Sequence, residues 1–116
     1  MNAPTVTAIG SFYHFAWPEL FLEVIVERVP QHKDGRVTAE VVFRTTAEGI
    51  PPHLHQAQMN LLATRTKKET ARYLESIYPG PAWETVVEQV CVLTLDRLRQ
   101  GEEGRRLGGS ATIPPL

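Results

Sequence analysis

The sequence predicts an α+β domain, with one antiparallel sheet followed by two helices packed on one of its faces. Three observations carry this reading. Two runs of alternating hydrophobicity flank an Asp34-Gly35 turn signal. Two later segments repeat their apolar residues at helical spacing, with start and stop signals at their ends. The composition is globular, with 42% hydrophobic and 22% charged residues, and 116 residues suit a single domain.

The first 19 residues hold no clear period. Phe12, Tyr13, Phe15 and Trp17 crowd together there, and with Phe21 they are five of the nine aromatic residues. They read as an aromatic N-terminal arm that buries itself against the domain or a partner. Residues 20–29 alternate next, with Leu20, Leu22, Val24 and Val26 on one face and Glu23 and Glu27 on the other. A period of two with β-branched residues is the mark of a half-buried strand. After the turn signal the alternation resumes, with Val37, Ala39, Val41 and Phe43 inward and Arg36, Thr38, Glu40 and Arg44 outward. Gly accepts positive φ and Asp bonds its own backbone, so the two runs make a β-hairpin.

Gly49 and Pro51-Pro52 mark a loop over residues 47–55. Residues 56–64 are expected as a third strand, with Ala57, Met59, Leu61 and Ala63 facing the core, and a helix as the alternative. Thr66 and Glu69 fit a capping box, and Ala71, Leu74, Ile77 and Tyr78 recur at helical spacing behind it. Pro79-Gly80-Pro81 must end that helix. A second helix is expected over residues 82–100, with Gly101 as its stop. Its core stripe is Trp83, Val86, Val87, Val90, Cys91, Leu93, Thr94 and Leu98. Residues 1–100 then form the domain, and 101–116 a flexible tail or linker.

Composition excludes several classes of function. A net charge of −1 excludes a globally basic nucleic-acid coat, though not a local patch. A single cysteine excludes a disulfide framework or a Cys-rich zinc module. No apolar run approaches the ~20 residues that cross a bilayer. No secretory signal is visible at the N-terminus, so a cytoplasmic location is expected. The chain has no phosphate-binding Gly-x-x-x-x-Gly-Lys-Ser/Thr loop, His-Glu-x-x-His or Cys-x-x-Cys motif. His53 and His55 could point to the same side of an extended segment, but zinc normally takes at least three protein ligands. They read as a polar lead-in to a strand, and neither a metal, a cofactor nor a catalytic residue is expected. Cys91, inside an apolar stripe, reads as a small buried hydrophobe.

Two local features carry a binding reading. Arg65, Lys67, Lys68 and Arg72 cluster at a helix start, where backbone N–H groups and side-chain charge would together receive a phosphate. Arg36 and Arg44 are secondary candidates on the sheet. In the last helix, Val92 falls on the charged face and Leu95 widens the apolar stripe. These two, with Phe12, Phe15 and Trp17, suggest an interface with a second copy or a neighbouring domain.

Three runs also suggest a family. They are Gly35-Arg36-Val37-Thr38-Ala39-Glu40, Pro52-His53-Leu54-His55-Gln56-Ala57 with Asn60-Leu61, and Trp83 with Glu88-Gln89-Val90-Cys91-Val92. Together they resemble the N-terminal region that precedes the P-loop core of RecA-like or AAA-type ATPases of phages and mobile elements, proteins of replicative-helicase type. The resemblance spans roughly residues 10–107. It implies a non-catalytic accessory domain that assists an ATPase or replication machine by oligomerisation or DNA engagement. The P-loop core has no counterpart in these residues, so the resemblance carries over no catalytic residue. The expected partners are DNA, a second copy of the chain or an ATPase domain, with no membrane. The alternative is a protein-interaction or dimerisation module without nucleic-acid contact.

Overall fold

Polar and apolar residues alternate through the first half of the chain, and successive runs pair as hairpins. The computed structural model describes residues 2–27, 32–33 and 36–106, with side chains described for 2–27 and 36–100. Its strands are β1 (Thr5–Ile9), β2 (Phe12–Trp17), β3 (Leu22–Glu27), β4 (His32–Lys33), β5 (Arg36–Thr45) and β6 (His53–Asn60). Helices α1 (Thr64–Ile77) and α2 (Trp83–Arg106) follow. All pairings are antiparallel, in the order β1-β2-β3-β5, with β6 on the other edge of β5. The two-residue β4 pairs with the start of β5.

The α+β class and the two helices agree with the sequence reading. The sheet corrects it, because there are five long strands where three were expected. The extra two are the supposed N-terminal arm. Val6 and Ala8 face inward on β1, and Tyr13, Phe15 and Trp17 are wholly buried on β2. Burying side chains of this size stabilises by about 1.5–3 kcal/mol each, which is reason enough for the segment to join the sheet. Gly10, at φ 56°, turns β1 into β2 through a two-residue loop with Ser11. Positive φ at the first loop position suits a type II′ hairpin turn.

The expected hairpin is β3 and β5, joined in register from Leu22↔Thr45 to Glu27↔Glu40. Asp34 and Gly35, its expected turn, lie outside the described residues. The third strand also forms, with Met59 buried on the inner face and Gln56 and Gln58 exposed, but it ends at Asn60 rather than at 64, because residues 61–63 turn the chain into α1. It starts earlier than expected, at His53, within what was read as loop. The Thr45 amide donates to the Pro52 carbonyl at 2.9 Å and so brings the end of β5 and the start of β6 together there.

Helix α1 begins two residues before the expected cap. Its N-cap is Ala63, and no side chain caps it. The Thr66 hydroxyl donates to the Ala63 carbonyl (2.9 Å) and Glu69 pairs with Arg65, so the capping box does not form. The helix ends at Ile77 ahead of Pro79, as expected. In the linker, Trp83 Nε1 donates to the Tyr78 carbonyl (2.8 Å) and the Tyr78 hydroxyl to the Leu20 carbonyl (3.1 Å). These bonds tie the helix–helix junction to the end of the sheet. Helix α2 runs through Gly101, its expected stop, to Arg106. Residues 107–116, the remainder of the expected tail, lie outside the described residues.

Both helices cover the same sheet face. Ala71, Leu74, Trp83, Val86, Val87, Val90, Cys91 and Leu98 join the inward strand residues in one core, and Trp83 meets Phe43 edge-on with ring centroids 6.1 Å apart. Among the described residues, no helix lies on the opposite face. Among the described residues, no helix is long and apolar enough to cross a membrane.

Candidate nucleic-acid interface

Helix α1 sorts its side chains by position. Thr70, Ala71 and Leu74 are buried, and Lys67 lies on the same side. Positions 65, 68 and 72, spaced i, i+3 and i+7, fall on the opposite side and are exposed. The four cations proposed from sequence therefore divide into two groups.

Lys67 is turned toward α2. Its side chain is 15% exposed and its Nζ lies 2.9 Å from Glu88 Oε2. That ion pair joins the two helices. Arg65, Lys68 and Arg72 form an outward stripe, rising ~4.5 Å and then ~6 Å along the helix axis. Arg65 is the most open, with a side chain 90% exposed, and its Nε pairs with Glu69 Oε1 at 2.9 Å. Lys68 and Arg72 make no ion pair among the described residues. They border a shallow groove of about 520 Å³ between the helices, closed on its far side by Pro81, Trp83 and Glu84. A second groove, of about 540 Å³, takes in Thr64, Arg65, Lys68, Glu69 and Arg72.

The first turn of α1 contains no acidic residue and no side-chain cap. Cations there oppose the helix dipole by about 0.3–1 kcal/mol each, a cost that a bound anion would reverse. Glu69, Glu75 and Glu84 border the same grooves and limit the positive potential.

The structure separates the two secondary candidates. Arg36 lies at the β5 end nearest α1, beside a polar hollow with Thr38, Gln58, Asn60, Ala63 and Thr66. Arg44 is on the uncovered sheet face, cross-strand from Glu23, away from α1. The candidate interface residues divide too. Val92 is 43% exposed and Phe12 is 41% exposed, on different sides of the molecule. Leu95 packs partly against the core. Phe15 and Trp17 are fully buried and offer no surface to a partner.

Among the described residues, His53 and His55 gather no third ligand. No group of three or more His, Cys, Asp or Glu able to hold a metal occurs among the described residues. His55 lies against Tyr73, with ring centroids 4.7 Å apart, and stacks on Phe43 at 6.4 Å. Burial, and then the neighbouring His53, hold its pKa below the usual histidine value. Between Phe43 and Arg44 the β6 register shifts, so Leu54 falls between the paired residues His53 and His55 and is buried. Cys91 is buried too, and desolvation pushes its thiol up to about 11, with Glu88 raising it and Lys67 lowering it. It is protonated near neutral pH and a poor nucleophile.

Sequence reasoning missed Glu88 as the partner of Lys67, because no local spacing links a residue of α1 to one of α2. It also missed Glu27 and Glu40 as direct cross-strand neighbours. The Asp34-Gly35 signal alone sets Glu27 opposite Val42 rather than Glu40, so the observed pairing carries no local mark in the sequence. Comparison with protein families, curated proteins and solved structures finds no match for the chain.

Proposed function

We propose that the chain is a non-catalytic accessory domain that engages DNA on behalf of a RecA-like or AAA-type ATPase or replication machine. The observation that carries this reading is the exposed stripe Arg65, Lys68 and Arg72, set along one side of α1 beside two open grooves. Three cations at helical spacing can follow a phosphate backbone, and they bind charge rather than base identity. Lys67 is a positioning residue in this reading, since its bond to Glu88 fixes α1 against α2.

Fluorescence anisotropy with labelled single- and double-stranded DNA at several salt concentrations tests the proposal. Three phosphate contacts predict a log–log salt slope of about −3 on duplex DNA. Lys68→Glu and Arg72→Glu should weaken binding and flatten that slope, while circular dichroism stays unchanged. No binding at micromolar protein in low salt would overturn the reading. A second reading, a protein-interaction module without DNA contact, is favoured by the uncovered sheet face, where Ile9 and Phe12 are exposed.

A further inference from the structure

Tyr73 directly follows Arg72, so the two side chains leave α1 about 100° apart. Arg72 belongs to the outward cationic stripe, and Tyr73 stands on the flank that meets β6. The Tyr73 ring lies on His55, with centroids 4.7 Å apart, yet the residue is still 48% exposed. His55 in turn stacks on the fully buried Phe43. The ring is thus backed by the core and keeps an open side for a planar partner. Beside it lies a hollow of about 350 Å³ bordered by Ile50, Pro51, His53, Leu54 and Ile77. Among the described residues, none that borders this hollow is acidic.

Charge is spread unevenly around α1. The groove between the helices sets Lys68 and Arg72 against Glu75 and Glu84, which leaves it without net charge. The outer groove holds Arg65, Lys68 and Arg72 against Glu69 alone, and Glu69 is engaged by Arg65. The positive potential of the stripe therefore lies on the outer side of the helix. Glu69 and Tyr73, spaced i, i+4, are neighbours on the helix surface, so the ring adjoins that outer groove.

We propose that Tyr73, backed by His55, is a stacking platform for an unpaired base, and that the DNA engaged by α1 is single-stranded. The inference rests on the DNA reading above and deepens it by naming the form of DNA. The backbone phosphates follow Arg65, Lys68 and Arg72, and a base turned aside from them lies on the Tyr73 ring. Aromatic rings beside a cationic track hold single strands without reading sequence, because every base has a π face. A duplex hides those faces in its own stack and offers only phosphates. Three cations alone would favour the duplex, whose charge is denser, so a preference for the single strand is the mark of the ring. An apolar side chain of a partner protein would also fit the hollow, but it would leave Lys68 and Arg72 without a counter-charge.

Fluorescence anisotropy on the full 116-residue chain, with three labelled probes, tests the proposal. The probes are an oligothymidine, an abasic strand of equal length and charge, and a duplex of that length. The oligothymidine should bind about tenfold or more tightly than the abasic strand, and more tightly than the duplex. Tyr73→Ala should lower oligothymidine affinity by about tenfold, to the abasic level, with circular dichroism unchanged. It should not alter the log–log salt slope, about −2 for three contacts on a single strand. Tyr73→Phe keeps the ring and should keep the affinity. Lys68→Glu and Arg72→Glu should instead weaken all three probes together. Abasic or duplex probes bound as tightly as the oligothymidine would overturn the inference and leave the DNA reading standing. Wild-type oligothymidine affinity in Tyr73→Ala would do the same. Binding of none of the three would overturn the DNA reading and this inference with it. The comparison of probes uses the unaltered chain, so it decides the matter even where Tyr73→Ala fails to fold.

Discussion

His55 lies between the Phe43 ring and the half-exposed Tyr73, with His53 adding positive potential. Its pKa in the folded chain is therefore below the value near 6.5 that it takes when unfolded. The unfolded state binds the proton more tightly, so the stabilisation is present in full above about pH 6.5 and is lost as pH falls through that value toward the folded pKa. The melting temperature should fall between pH 7.5 and pH 5, and His55→Leu should reduce the fall. A side-chain NMR titration that placed the His55 pKa above that of a free histidine would contradict this account. The sequence showed the pair His53 and His55 but not their surroundings. The bulge that buries Leu54 between them depends on how β6 meets β5, a long-range match with no local signature.

At the scale of elements, the hairpin of β3 and β5 was legible because alternation and turn chemistry agree there. The hairpin of β1 and β2 was equally encoded. Thr5, Val6 and Thr7 favour extended backbone, and Gly10-Ser11 is a recognised two-residue turn. The aromatic crowding of Phe12, Tyr13, Phe15 and Trp17 obscured the alternation, since Phe12 and Tyr13 are adjacent and only one of them points inward. Glycine misled in the opposite sense at the far end. Gly101 ends a helix only where the following chain turns back to satisfy its last carbonyls, whereas here the backbone ladder continues to Arg106. Helix interior glycine costs about 1 kcal/mol relative to alanine. Gly101→Ala and Gly104→Ala should each raise helical ellipticity and the melting temperature, with the larger gain at Gly101, farther from the fraying end. The candidate binding stripe shows the same limit. Spacing alone gave four cations near one helix start, but only packing against α2 withdrew Lys67 from the exposed side.

For the molecule as a whole, class, helix order and the inward residues of the hairpin could be read from period and punctuation. Strand number could not, because the first strands look like a cluster rather than a pattern. The site was less legible than the fold, for its charges are sorted by contacts between distant elements. One prediction belongs at this scale. The inner sheet face carries Tyr13, Phe15, Trp17, Val24, Val26, Val41 and Phe43, all fully buried beneath the helices. A chain cut after Tyr78 keeps every strand and α1 but loses the whole of α2. It should show no cooperative unfolding transition and should aggregate, since several large side chains worth about 1.5–3 kcal/mol each would lose their cover. Cooperative melting of that fragment would show that the sheet and α1 suffice.

Strand order has a consequence for the birth of the protein. Each long strand pairs with the one made just before it, apart from the two-residue β4 at the hairpin end. Short-range pairing of this kind keeps contact order low and lets the sheet zip together without waiting for a distant partner. On the ribosome the meander can therefore form in the order of synthesis. Its last cover, α2, comes at the end, so the fully formed sheet spends the interval with one greasy side bare. During that window the nascent chain is most open to capture by chaperones or by its own siblings on the same message.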